Sequence, residues 1–377
     1  MRPPGRWVTS CLAIALALAA CSQTPPLPPL LVLGYDSSIK AVDEAGTALE
    51  LLAADERIAA NQPTWSPDGR LAVWTEIDRS TGEARIAMGD DRSQRRLDGR
   101  TAPFFYAWSP NGEHISYLGN APDGSGVAMG LIDVAGGTAG LVDSGSPYYL
   151  DWSPDSERLA VHVGSQTLAF VDLSGNREEI EIETGFFQAP AFLPDGRLVI
   201  AQLGDKPGLA VVEAGEPRLL APLEAVTAFA PDPAGNRVAF TNNTDAVALG
   251  SLSIVGVDEG EPVSVTEGPV VAFQWAPTGE RILFINVDVE ALMLVPAVWE
   301  NGDITEFEPL IPTSVFFNDY LPFWDQYARV LSVWSSDGAQ FALPVSDPNG
   351  GGIQIYDVAS GTNRRLIDGT FASWSSQ

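Results

Sequence analysis

Short apolar runs broken by Gly, Pro, Asp and Asn set the pattern of the chain from residue 30 onward, with little of the 3.6-residue period of a helix. Leu71–Trp74, Ala84–Met88 and Gln94–Leu97 read as strands. So do Leu159–Val163, Thr167–Asp172, Glu178–Ile182, Leu198–Leu203, Leu209–Glu213 and Pro217–Leu220. Several runs, Arg281–Ile285 among them, are continuously apolar instead of alternating, as strands covered on both faces are.

The breaks between runs repeat. In Trp65-Ser66-Pro67-Asp68-Gly69 a strand ends in Trp and meets a tight turn: Pro pre-sets φ, the Asp side chain caps the turn, and Gly takes the positive φ that closes it. Related segments begin at Trp108, Trp152, Phe192, Phe229, Trp275 and Trp334, with a truncated one at Trp374. Successive anchors are 43, 44, 40, 37, 46, 59 and 40 residues apart. A period near 40 residues with four short strands per unit predicts the blades of a β-propeller. Trp374 heads a unit with no strands behind it, whereas Leu30–Gly34, Ile39–Val42 and Ala48–Leu51 form three strands with no Trp turn before them. The two complete one another, so the C-terminal strand is expected to pair with the N-terminal three and close the ring. The expected fold is all-β: a propeller of eight four-stranded blades, with six or seven as the alternatives. In this reading Trp65 and its counterparts wedge between blades, and Asp68, Asp155, Asp195, Asp232 and Asp337 are turn residues.

The Trp-Ser-Pro-Asp-Gly repeats resemble those of the TolB family of β-propellers over roughly residues 30–377. The resemblance implies the fold. It implies no particular activity, because the repeated residues build turns and blade contacts.

Forty-nine acidic residues against 21 basic ones give a net charge of −28, which disfavours a nucleic-acid partner. Arg2 and Arg6 precede an apolar run, Val8–Ala20, too short to span a bilayer but suited to a signal-peptide core. It ends in Leu18-Ala19-Ala20-Cys21, which resembles the lipobox of bacterial lipoproteins. That resemblance implies acylation of Cys21 and an extracytoplasmic, membrane-tethered protein in the cell envelope. Cleavage would remove Arg2 and Arg6 and take the charge to −30. The expected organisation is a signal peptide over 1–20, a Pro-rich tether over 21–29 reaching roughly 20–25 Å, and a propeller over 30–377.

Both cysteines, Cys11 and Cys21, precede the fold, which leaves no thiolate or disulfide within it. The two histidines, His114 and His162, sit in apolar strand-like runs and read as structural. No metal site and no cofactor are expected. Asp123-Gly124-Ser125-Gly126 and Asp347-Pro348-Asn349-Gly350 resemble fragments of calcium loops but lack spaced acids and a bidentate Glu. Asp143-Ser144-Gly145-Ser146-Pro147 resembles a protease nucleophile segment without its partner motifs, and no Gly-x-Ser-x-Gly elbow exists. No catalytic residue is assigned.

The longest departure from the repeat is 311–329, which produces the 59-residue spacing. It carries Phe316, Phe317, Tyr320, Phe323, Trp324 and Tyr327. Equivalent connections carry Phe104 and Phe105, Tyr148 and Tyr149, and Phe186 and Phe187. In a propeller these connections open onto the face around the central channel, where aromatic rings form a candidate site for a protein, peptide or glycan. The competing reading is that some of these rings continue inner strands into the core. The function expected is non-enzymatic binding or scaffolding by a monomeric propeller. The alternative is a propeller-type hydrolase or lyase, or a non-catalytic relative of peptidase-associated propellers.

Overall fold

The structure, a computed structural model, describes residues 27–99, 101–164, 167–184, 189–203, 206–213, 215–223, 228–242, 250–348 and 350–376. Cys21, Phe186 and Phe187 lie outside them.

The described chain is almost wholly antiparallel sheet. The first sheet holds Leu30–Leu33, Ile39–Val42 and Ala48–Leu52, with Phe371–Trp374 as its fourth strand. Leu30 pairs with Trp374 and Leu33 with Phe371. Consecutive strands of 58–97, 103–145, 148–180 and 191–222 form the second to fifth sheets, four strands each. The sixth has seven strands because Val263–Trp275 serves two groups. Its early part pairs with Gly250–Gly256 and its late part with Arg281–Asp288. The seventh holds Gln340–Val345, Gly352–Asp357 and Thr362–Asp368, with Trp334 bridged to Phe341 ahead of them.

First strands of successive sheets lie side by side. Ile58–Trp65 touches both Leu30–Leu33 and Phe371–Trp374, Pro103–Trp108 touches Ile58–Trp65, and Tyr148–Trp152 touches Pro103–Trp108. Such stacking covers both faces of each sheet. Consecutive residues are accordingly buried together, as in Leu30-Leu31-Val32, Ala72-Val73-Trp74 and Leu159-Ala160-Val161. This is the physical cause of the continuous apolar runs.

The Trp turns work as their residues predict. Ser66 N donates to Leu71 O (2.8 Å), Gly69 N to Ser66 O (2.9 Å), and Ser66 Oγ to Asp68 Oδ1 (2.7 Å). Gly69 has φ 63°. Hydrogen bonds from the turn Ser hold Asp155 and Asp337 below the usual carboxylate range. The Trp indoles bind neighbouring sheets: Trp65 Nε1 donates to Ser373 O (3.2 Å), Trp152 to Ala107 O (3.1 Å), Trp275 to Ala230 O (3.0 Å) and Trp334 to Gln274 O (3.1 Å).

One anchor differs from the expectation. Asp232 N donates to Arg237 O (2.8 Å) and Gly235 N to Asp232 O (2.9 Å), so Asp232 fills the Ser position of the turn and Pro231 the Trp position. The buried Asp232 carboxylate does the capping itself, accepting from Asn236 N (2.8 Å) and pairing with Arg237 (2.9 Å). The anchor moves from 229 to 231, and the flanking spacings of 37 and 46 become 39 and 44.

Candidate functional site

Residues 311–331 leave the sheet pattern and fold into a π-helical turn (Phe316–Tyr320), a 3₁₀ turn (Leu321–Phe323) and one α-helical turn (Trp324–Tyr327). Pro322 sits inside the 3₁₀ turn, where its missing N–H leaves no helical bond unmade. So short a helical stretch is not stable on its own, and its surroundings hold it.

Those surroundings are all seven sheets. Thr313 Oγ1 donates to Thr370 O (2.5 Å), and the Tyr320 ring stacks on Phe371 with centroids 3.8 Å apart and planes 2° from parallel, fixing the segment to the first sheet. Tyr327 is hydrogen-bonded to Gln62 of the second sheet and donates its hydroxyl to Phe104 O of the third (2.8 Å). Gln326 acts as a substitute strand partner: its Nε2 donates to Leu150 O (2.8 Å) and its Oε1 accepts from Leu150 N (3.1 Å). Arg329 Nη2 reaches Ala189 O (2.9 Å) and Phe229 O (3.1 Å), beside the fifth and sixth sheets. Trp324 Nε1 donates to Phe273 O (3.1 Å), and Gln274 Nε2 to Ala328 O (2.7 Å) and Leu331 O (2.6 Å). Thr313 N donates to Pro344 O (3.2 Å) of the seventh sheet. The segment is a hub joining the first strands at the end away from the Trp turns.

Charge is buried with it. The Arg329 guanidinium lies 3.7 Å from Asp151, whose Oδ2 also accepts from Phe192 N (2.7 Å). Asp325 is the second carboxylate acting on the same guanidinium. Burial raises Asp151 and Asp325 to about 6 each against the opposing pull of Arg329. Burial likewise lowers Arg329.

Between the hub and the first four sheets lies a cavity of about 640 Å³. Of the aromatics singled out by sequence, Phe104, Phe105, Tyr148, Tyr149, Tyr320, Phe323 and Tyr327 line it. Phe104 (38% exposed) and Phe323 (47%) present their rings to solvent, whereas Phe105, Tyr148, Tyr320 and Tyr327 are buried in its walls. Phe316 and Trp324 lie outside the lining. They are 1% and 5% exposed, packed edge to face at 5.6 Å, and belong to the core. Phe317, 54% exposed, also lies outside the lining. The strand-continuation reading therefore holds for Phe105 and Tyr148, whose side chains alternate with the more exposed Phe104 and Tyr149.

Sequence reasoning missed the polar half of the lining: Asn61, Gln62, Asn120, Asn318, Asp319 and Gln326. Asn318 and Asp319 sit inside the aromatic insertion, and that proximity was the available signal. Burial raises the Asp319 carboxyl, and burial followed by the Asp325 charge raises the Tyr149 hydroxyl. Tyr320 Oη is enclosed without a hydrogen-bond partner among the described residues.

The other candidate motifs are local structure. Asp123 Oδ1 accepts from Ser125 N (2.9 Å), and Asp347 pairs with Arg365 (2.5 Å). Asp143 accepts from the Tyr148 hydroxyl (2.7 Å) and pairs with Arg177 (3.2 Å). His162 is 1% exposed within its strand. Among the described residues no three His, Cys, Asp or Glu side chains converge as metal ligands, and no helix is long and apolar enough to cross a membrane.

No protein-family model matches the chain, and no curated protein matches it. Among solved structures it resembles the dihydro-heme d1 dehydrogenase NirN (TM-score 0.57, 15% identity, 93% of this chain and 75% of that one). It also resembles a eukaryotic initiation factor (TM-score 0.56, 13% identity, 92% and 87%). TolB from Acinetobacter baumannii aligns with a TM-score of 0.43 at 16% identity over 85% of this chain and 83% of that one, a score on which nothing further rests. At these identities the likeness speaks for fold alone, and the fold of this chain is a β-propeller.

Proposed function

We propose that this chain is a lipid-anchored, extracytoplasmic propeller of eight blades that binds a protein, peptide or glycan partner in the cavity beside its hub, without catalysing a reaction. The eight-blade count takes the seven-stranded sheet as two blades sharing Val263–Trp275 and adds the short strand at Trp334 to the seventh sheet. Ring closure is supported by the pairing of Leu30–Leu33 with Phe371–Trp374, which joins the two ends of the propeller in one sheet and gives Leu30–Leu33 a strand partner on both edges. Residues 1–20 serve as the export signal, Cys21 carries the lipid, and residues 21–29 tether a propeller of residues 30–377.

The observation that carries the binding reading is the cavity itself. Its volume is that of a ligand site, and partly exposed Phe104 and Phe323 line it together with the amide side chains of Asn61, Gln62, Asn120 and Asn318. Stacking surfaces beside hydrogen-bonding amides suit a peptide or a sugar.

Phe104→Ala combined with Phe323→Ala is the test. Both rings are partly solvent-exposed, so the double variant is expected to melt within about 2 °C of the parent, while binding of envelope-derived peptides or oligosaccharides falls at least about tenfold. Unchanged binding would remove the cavity from the function. Cys21→Ser is expected to move the protein from the membrane fraction to the soluble one, and persistence at the membrane would refute the anchor.

A further inference from the structure

Resting on that reading of the cavity, we infer that the group it recognises is an organic cation, an ammonium or guanidinium, held among aromatic rings beside Asp319.

The lining carries no Lys, Arg or His among the described residues, and its one ionisable carboxylate is Asp319. A phosphate, sulfate or uronate would meet no positive charge there and would face that carboxylate at close range. Phe104, Tyr149 and Phe323 line the same space, and the faces of aromatic rings attract ammonium and guanidinium groups.

A carboxylate outside the lining adds to the same sign: the Asp325 charge acts on Tyr149, and Asp325 and Asp151 both act on Arg329. The surplus of acids over bases, −28 for the whole chain, extends this field outward and raises the local concentration of cations. Amides alone would suit neutral sugars equally well. The aromatic faces, the lone carboxylate and the absence of any basic lining residue favour the cation.

Calorimetric titration of the full chain in detergent, at physiological salt, separates the cases. The probes are a capped Gly-Lys-Gly peptide, the same peptide with norleucine for Lys, tetramethylammonium chloride and cellotriose. The Lys peptide is expected to bind at least about tenfold more tightly than its norleucine counterpart. Asp319→Asn and Phe323→Ala should each reduce that preference severalfold, while Glu178→Gln on an exposed outer strand leaves it intact. Binding of tetramethylammonium as well would assign small organic ammonium ions as the ligand class, and binding of the peptide alone would assign a basic side chain. Equal affinity for the two peptides, or binding of cellotriose in their place, would overturn the cation while leaving the cavity a binding site. Failure of every probe to bind would remove the inference and count against the cavity itself.

Discussion

Gln326→Met separates the hub's polar fastening from its packing. Gln326 is 4% exposed, and its amide closes two hydrogen bonds on Leu150, itself 1% exposed. Methionine keeps the side-chain length and fills the same space, so little cavity cost enters. The substitution instead leaves a buried N–H and a buried C=O unpaired. Each such group costs about 1–3 kcal/mol, so the expected loss is about 4 kcal/mol. With an unfolding entropy of about 2.1 cal/mol/K per residue over roughly 350 residues, that loss lowers Tm by about 5 °C. Urea unfolding read by fluorescence should show the midpoint falling with the slope unchanged. A loss below about 1 kcal/mol would mean that water reaches Leu150 in place of the amide, and the segment would then be a loosely seated flap.

Neighbouring rings offer a second contrast: Phe316→Ala is expected to cost about 3–5 kcal/mol because it empties a buried site, and Phe317→Ala to stay within about 0.5 kcal/mol. Equal losses in denaturant unfolding would contradict the burial of one and the exposure of the other. The acid pair predicts a pH slope. Asp151 and Asp325 titrate near 6 when folded and near 3.9 when unfolded, so between pH 4 and 6 the folded state holds more protons. Their contribution to stability therefore falls as pH rises through that window, by on the order of 2–3 kcal/mol per carboxyl. Asp325→Asn leaves Arg329 matched by Asp151 alone, so the variant's urea midpoint should rise relative to the parent's from pH 4 to 7, and a variant midpoint that falls relative to the parent's over that range would refute the assignment. Ending the chain before Phe371 removes the partner of Leu30–Leu33, exposes a fully apolar edge and should produce aggregation, visible as loss of the monomer peak in size exclusion.

Much of this architecture is written in the sequence, because the turn chemistry is local. Pro67, Asp68 and Gly69 need only their neighbours to form a turn, so strands such as Gln94–Leu97 and Thr167–Asp172 lie where their runs predict. Continuous apolar runs also foretold sheets covered on both faces. The anchor at 231 was hidden because Pro231 and Asp232 replace Trp and Ser, and only the hydrogen bonds from Asp232 N and Gly235 N reveal the turn's frame. The aromatic insertion was legible as a break in the repeat, but its division of labour was not. Phe316 and Phe317 are chemically identical neighbours, and which of them is core depends on a π-helical turn held by contacts more than 50 residues away in sequence. The amide ring around the cavity, and the two carboxylates sharing Arg329, bring together residues from strands remote in the chain. Local chemistry determined the turns, the strands and the repeat; long-range packing alone decided which side chains face the cavity and which hold the hub in place.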